Sequence, residues 1–200
     1  TVAHLRALRD SADERGCSDD VWQEMVQMGW AGIAIAEEFG GLGYGYTGLG
    51  LVLEQVGRNL SASPLQSTVL VSATLIAELG SGSQKEQWLS PIAAGEKRVS
   101  LALQEGRHHA PEQTAARAVA DGDDYLLSGA KVLVLDASLA DAYIVIARTA
   151  GEAGDSRGLT AFLVAAESAG IVLSRSSLVD SRNVGTLTLQ DVRVPAAQVL

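Results

Sequence analysis

Apolar positions recur at helical spacing from residue 2 to about residue 97, and alternate or run together in short blocks beyond it. The first spacing is that of one helix face and the second that of strands. Residues 2–15 predict a helix with Leu5, Leu8 and Ala12 on one side. A second helix is capped by Ser18 or Asp19, with Asp20 in the first turn, where negative charge suits the helix dipole. Its apolar positions are Val21, Trp22, Met25, Val26 and Met28, and Gly29 ends it. Leu49, Val52, Leu53, Val56 and Leu60 place a third helix over 47–60. Residues 65–79 are apolar on almost every side, which predicts a buried helix. Ser83 with Glu86 matches a capping box for the next helix, which directs Trp88, Leu89 and Ile92 inward. Pro91 is expected to break or kink it.

After Gly95 the period changes. Val99, Leu101 and Leu103 alternate with Ser100, Ala102 and Gln104, as in a strand. Further strands are predicted at 114–120, 124–135, 142–148, 159–165, 171–175 and 184–190. Asp121-Gly122-Asp123 is a hairpin signal, and residues 150–158 form a second connection. Within Tyr125–Thr149, Val132, Leu133, Val134 and Leu135 are the expected core of one strand. Tyr143, Ile144, Val145 and Ile146 are that of the next. Helices followed by sheet predict an α+β protein of two segregated domains, 1–97 and 98–200.

Composition narrows the function. Residues 1–97 carry 12 acidic and 6 basic side chains and residues 98–200 carry 12 and 9, for a net charge of −9. No basic patch points to nucleic acid. No apolar run is long enough to span a bilayer, and no signal peptide is expected from the pattern. The single Cys17 excludes a disulfide framework, so a cytoplasmic compartment is the expectation. Asn59-Leu60-Ser61 matches a glycosylation sequon, which such a compartment leaves unused. The chain opens inside a helical pattern and closes on Val194-Pro195-Ala196-Ala197-Gln198-Val199-Leu200, which reads as a lead-in to further structure.

Candidate chemistry is sparse. Gly43-Tyr44-Gly45-Tyr46-Thr47-Gly48 matches G-x-G-x-x-G, but a loop precedes it and helices follow, so the strand and βαβ unit of a dinucleotide site are missing. His108 and His109 are adjacent, and strand neighbours point to opposite faces, which suits no shared metal even with Glu105 and Glu112 nearby. No G-x-S-x-G elbow is present. Glu37-Glu38 reads as a solvated loop end rather than an acid–base pair. Asp19 and Asp20 beside Cys17 oppose thiolate formation.

Several phrases, taken in order, resemble the acyl-CoA dehydrogenase family. They are Met28-Gly29-Trp30 with Ala36-Glu37-Glu38-Phe39-Gly40-Gly41-Leu42-Gly43; Gln84-Lys85-Glu86-Gln87-Trp88-Leu89 with Ala94-Gly95-Glu96; Asp124 to Thr149; Gly158 to Val164; and Val192-Arg193-Val194-Pro195. The resemblance implies a helical N-terminal domain and a mainly antiparallel, barrel-like middle β domain. It also implies a third, helical domain that would begin where this sequence stops. It further implies FAD as cofactor, an acyl-CoA substrate, an electron-transfer flavoprotein as electron acceptor, and a homo- or hetero-oligomer. An oxidase or monooxygenase on the same scaffold is the related alternative. The family's base is a Glu of the third domain in most members, so no catalytic residue is assigned to this chain.

The flavin motifs depart from the family pattern. By position, Leu101, Leu103, Gln104, Leu133, Val134 and Leu135 are the cofactor-binding candidates and Ala110 the substrate-binding one. Gln104 stands where a Thr is expected. Glu105 is kept. Ala110 and Pro111 replace a Ser-Asp pair. Leu133 replaces a Trp, and Leu135 a Thr. Lys131 is kept. Some relatives form heteromeric pairs in which one partner carries a degraded flavin site. The alternative reading is therefore a non-catalytic partner subunit that has lost its flavin.

Overall fold

A computed structural model describes residues 2–11, 15–178 and 182–200, without the side chains of His4 and Ser177. The chain divides into two compact units: Thr1–Val99 with Ser177–Asn183, and Ser100–Ser176 with Val184–Leu200.

The first unit is helical. α1 covers Val2–Ser11. Ala12, expected on its apolar face, lies outside the described residues. α2 (Asp19–Gln27) is capped by Ser18, whose hydroxyl accepts from the Val21 N–H, and Gly29 follows in the left-handed region at φ 76°. Trp22 is the anchor of this unit. It is buried, donates its indole N–H to the Gly95 carbonyl at 3.2 Å, and carries the Arg98 guanidinium over its ring. Cys17 is also buried and donates to the Ala62 carbonyl.

α3 spans Gly45–Asn59, so the helix starts inside the glycine-rich stretch rather than after it. Leu60, expected on its apolar face, instead sits half exposed in the left-handed C-cap position. The predicted helix over 65–79 is two structures in series: a π-helix at Leu65–Ser72, then α4 at Ala73–Leu79. The Ser72 hydroxyl donates to the Ser67 carbonyl at 2.8 Å and the Val99 carbonyl at 2.9 Å, while the Thr68 hydroxyl both accepts from and donates to Val99. These buried hydroxyls satisfy the Ser67 carbonyl within the π-helix and both backbone groups of Val99.

α5 is Gly82–Ala93, and its cap corrects the sequence reading: Ser81 and Gln84 form the capping box, not Ser83 and Glu86. Both pairs carry the same spacing, so the pattern alone could not choose between them. Pro91 does not break the helix. It lies in the last turn, and the Glu96 and Lys97 N–H groups return to its carbonyl.

The second unit is a curled mixed sheet, ordered β1-β4-β2-β3-β7-β6 with β5 paired to β4. Its strands are β1 Val99–Ala102, β2 Arg117–Asp121, β3 Asp124–Leu135, β4 Ala142–Arg148, β5 Leu159–Ala165, β6 Ile171–Ser177 and β7 Asn183–Pro195. The pairs β2–β3, β3–β7 and β4–β5 are antiparallel, and β2 meets β4 in parallel at one position, Arg117 opposite Arg148. The core is Leu127, Val145, Ala147, Phe162, Leu187 and Val192 with their neighbours, and Tyr125 packs edge-on against Phe162 at 5.2 Å. β1 stops at Ala102, two residues short of the predicted alternation, and β7 is longer than expected at both ends.

The link between β3 and β4 is tied by Tyr143, which is buried and donates to the Ala137 carbonyl at 2.9 Å. Burial pushes its phenol up to about 12. An unfolded tyrosine titrates near 10, so this contribution to stability is complete below about pH 10 and is lost as pH rises through about 12. Two pH units correspond to roughly 3 kcal/mol. Tyr143→Phe is expected to flatten the alkaline limb of stability in that window, measured by urea midpoints from pH 8 to 11.5. The same alkaline loss in the Phe variant would reject Tyr143 as its source.

Candidate functional site

The predicted site residues come from two segments, the end of β1 with its following loop and the C-terminal half of β3. The segments are joined directly. The Val132 N–H donates to the Gln104 carbonyl at 2.7 Å. The Lys131 ammonium donates to the Leu103 carbonyl at 3.1 Å and to Glu105 Oε1 at 2.5 Å. Glu105 reaches further: its two oxygens accept from the Ala115 N–H at 2.7 Å and the Ala116 N–H at 3.0 Å. Lys131 has no exposed surface. Burial lowers its pKa below the ordinary lysine value, and the hydrogen bond and charge of Glu105 offset part of that shift.

Immediately after Lys131 the strand is irregular. Lys131 pairs with Leu187 but Val134 pairs with Gly185, so β3 carries one more residue than β7 between those pairs. This is a β-bulge. Leu133 takes up the extra residue at φ 54°, a region that branched side chains rarely enter. The sequence reading placed Leu133 in the strand core; the bulge turns it out, and it is 49% exposed. Val134, next to it, is buried and presents no side chain to a ligand. Leu101, Leu103, Gln104, Leu135 and Ala110 are intermediate in burial.

Gln104 and Ala110 line one open cavity of about 370 Å³ with Glu105, Arg107, His108 and Gln113; none of the four leucines lines it. The Gln104 amide is engaged by His109, Nε2 to Nδ1 at 3.1 Å. Another cavity of about 280 Å³, in the helical unit, has Ile35, Phe39, Val69, Ala73 and Leu89 in its lining and none of the predicted residues. No group of three or more metal-ligating side chains occurs among the described residues. No helix among them is long and apolar enough to cross a membrane.

Arg148 is the residue that sequence reasoning used only as part of a phrase. It is 1% exposed and donates to five backbone carbonyls: Glu112, Thr114, Ala150, Asp155 and Arg157. It therefore holds the loop that ends the 103–114 segment against the 150–158 connection. A buried arginine without a carboxylate partner leaves no pattern in a sequence; only its neighbours in space identify its role.

Comparison with known proteins gives one family. Residues 2–96 match the family model described as acyl-CoA dehydrogenase, N-terminal domain, and residues 103–192 match acyl-CoA dehydrogenase, middle domain. A Bacillus subtilis protein named "Probable acyl-CoA dehydrogenase YngJ" is 30% identical over 90% of this chain and 49% of its own length. The chain thus spans about half the length of the curated relatives it matches. Among solved structures, a variant of the Tcur3481–Tcur3483 steroid ACAD aligns at TM-score 0.85 and 32% identity, over 99% of this chain and 53% of that one. The ChsE4–ChsE5 complex from Mycobacterium tuberculosis aligns at TM-score 0.87 and 27% identity, over 100% and 51%.

Proposed function

Because the chain belongs to the acyl-CoA dehydrogenase family, we propose that it forms the helical and β portion of a flavin-dependent acyl-CoA dehydrogenase, or of one subunit of such an enzyme. The observation that carries this is Leu133. An apolar side chain is held half exposed, in a strained backbone conformation, at a bulge next to a buried ion pair. Strain of this kind persists where the surroundings over-determine it, and it concentrates at ligand sites.

The residues present fit a flavin. Leu133 offers an exposed apolar side chain to a planar ring, and Leu101, Leu103 and Leu135 are partly buried on the two segments that the Val132–Gln104 hydrogen bond joins. The Gln104 amide offers one donor and one acceptor to a polar ring edge. A bound flavin would supply the hydride acceptor for α,β-dehydrogenation of an acyl-CoA. This chain's residues would orient the ring and exclude water from one face. The catalytic base is assigned to no residue of this chain. Electron-transfer flavoprotein as acceptor, a place in fatty-acid metabolism, a cytoplasmic location and an oligomeric enzyme belong to the same proposal.

A second reading has its own support. The platform at Leu133 is aliphatic, and the Gln104 amide is already engaged by His109. The ChsE4–ChsE5 complex joins two differently named proteins. A heteromeric partner that has given up its own flavin would have this kind of wall.

The absorbance spectrum of the full-length protein, purified with its partner where it has one, separates the two. Flavin bands that weaken at least tenfold in Leu133→Asp, at an unchanged melting temperature, are the expected result. Leu133 is half exposed, so a small change in stability is expected for this variant. A colourless complex would reject the flavin reading in favour of the second.

A further inference from the structure

The bulge and the loop are each bound to the same two side chains, and this points to a role for a pair whose polar atoms are already engaged by the protein. Lys131 and Glu105 lie 26 residues apart in sequence and 2.5 Å apart in space. Lys131 is fully buried, and the Glu105 side chain is only 20% exposed. Through Leu103, Ala115 and Ala116 the pair draws together three segments: the turn after β1, the approach to β2, and β3 at the residue before the bulge. The bulge begins one residue later, and the Val132 amide closes it onto Gln104.

Such a pair is a poor source of stability. Desolvating two charges costs about as much as their attraction returns, and an apolar replacement is often neutral. What a buried pair does well is fix a register. A strand with one residue too many can place the extra residue at several positions. An ammonium that must meet one carboxylate and one carbonyl allows only one of them.

We propose that Lys131 and Glu105 are a positioning pair: they set where the β3 bulge falls, and so hold Leu133 outward and residues 103–105 against it. The site depends on them although Lys131 is wholly buried and both Glu105 oxygens are taken up by protein groups. This rests on the flavin reading only for its ligand, not for the bulge.

The test uses the full-length protein with its partner where it has one, and the double variant Lys131→Met/Glu105→Gln. Removing both charges avoids the uncompensated charge that a single substitution would leave. The expected result has three parts. The melting temperature stays within a few degrees of the parent. Amide exchange at Val132 and Leu133 accelerates at least tenfold while the β4–β5 interior is unchanged. FAD titrated by its absorbance bands binds at least tenfold more weakly. Unchanged exchange at Val132 would overturn the proposal, and so would acceleration spread equally over β4 and β5, since that would mean loss of stability rather than of position. If the double variant unfolds, it is read by the same exchange ratio in a stabilising sulfate salt, with the same two overturning outcomes. A parent protein that takes up no FAD would reject the flavin reading, while the exchange ratio would still decide the positioning role.

Discussion

Arg148→Met is expected to destabilise the β unit by about 3–5 kcal/mol, the range for breaking a buried, charge-assisted network. The Glu112 and Arg157 carbonyls lie at 2.8 Å from the guanidinium and that of Thr114 at 3.0 Å, all at good hydrogen-bond length. The guanidinium donates from Nε and both terminal nitrogens, which only a planar fork can do at once. Lysine carries the charge but not the fork. Arg148→Lys should therefore recover less than half of the loss. Urea unfolding of the three proteins measures this, with the midpoint read at unchanged slope. Limited proteolysis adds a local readout, because cleavage within 150–158 should precede global unfolding in both variants. A lysine variant as stable as the parent would mean that the charge matters and the five carbonyls do not.

The limits of the sequence are visible in these same residues. β3 and β4 are legible to the residue at all four ends, because the hairpin signal at Gly122 and the turn at Asp136 leave little choice. The helical unit was legible as elements but not as caps: Ser81 and Ser83 compete for one position. The π-helix was not legible at all, since an apolar run looks the same whichever hydrogen-bond register it adopts. The most consequential difference is Leu133. Alternation along a strand assumes a period of two, and one inserted residue inverts it without altering the composition. The family resemblance located the segments 101–104 and 133–135. It could not show that Val134 faces the core while Leu133 faces out. Nor could it show that Lys131 and Glu105 meet. Long-range pairs carry no local signal.

Gly41→Ala is the other substitution with a large expected effect, again about 3–5 kcal/mol, and its cause is purely steric. A Cβ at Gly41 would lie 2.0 Å from the Ile35 carbonyl oxygen, 2.4 Å from its carbon and 2.8 Å from the Gly32 oxygen. All three are backbone atoms, so no side-chain rotation relieves the contact. Those carbonyls are also in use: the Gly43 N–H donates to Ile35 and the Leu42 N–H to Gly32, at 3.0 and 2.9 Å. Moving the carbonyls away from a methyl group therefore breaks the bonds that fold residues 40–44 back onto 32–36. Gly40 is the internal control. It has φ 79° but nothing within 4 Å of its missing Cβ. Gly40→Ala should cost only the left-handed penalty, about 1–2 kcal/mol. Side-by-side urea midpoints test the contrast, and equal losses at the two positions would reject close approach as the reason for Gly41. The contrast also accounts for the glycines that mimic a dinucleotide motif. Gly43 and Gly45 have φ near 65° and 63°, Gly45 already opens α3, and a Cβ on Gly48 would meet that of Tyr44 at 2.8 Å. Turn geometry and close packing account for these glycines.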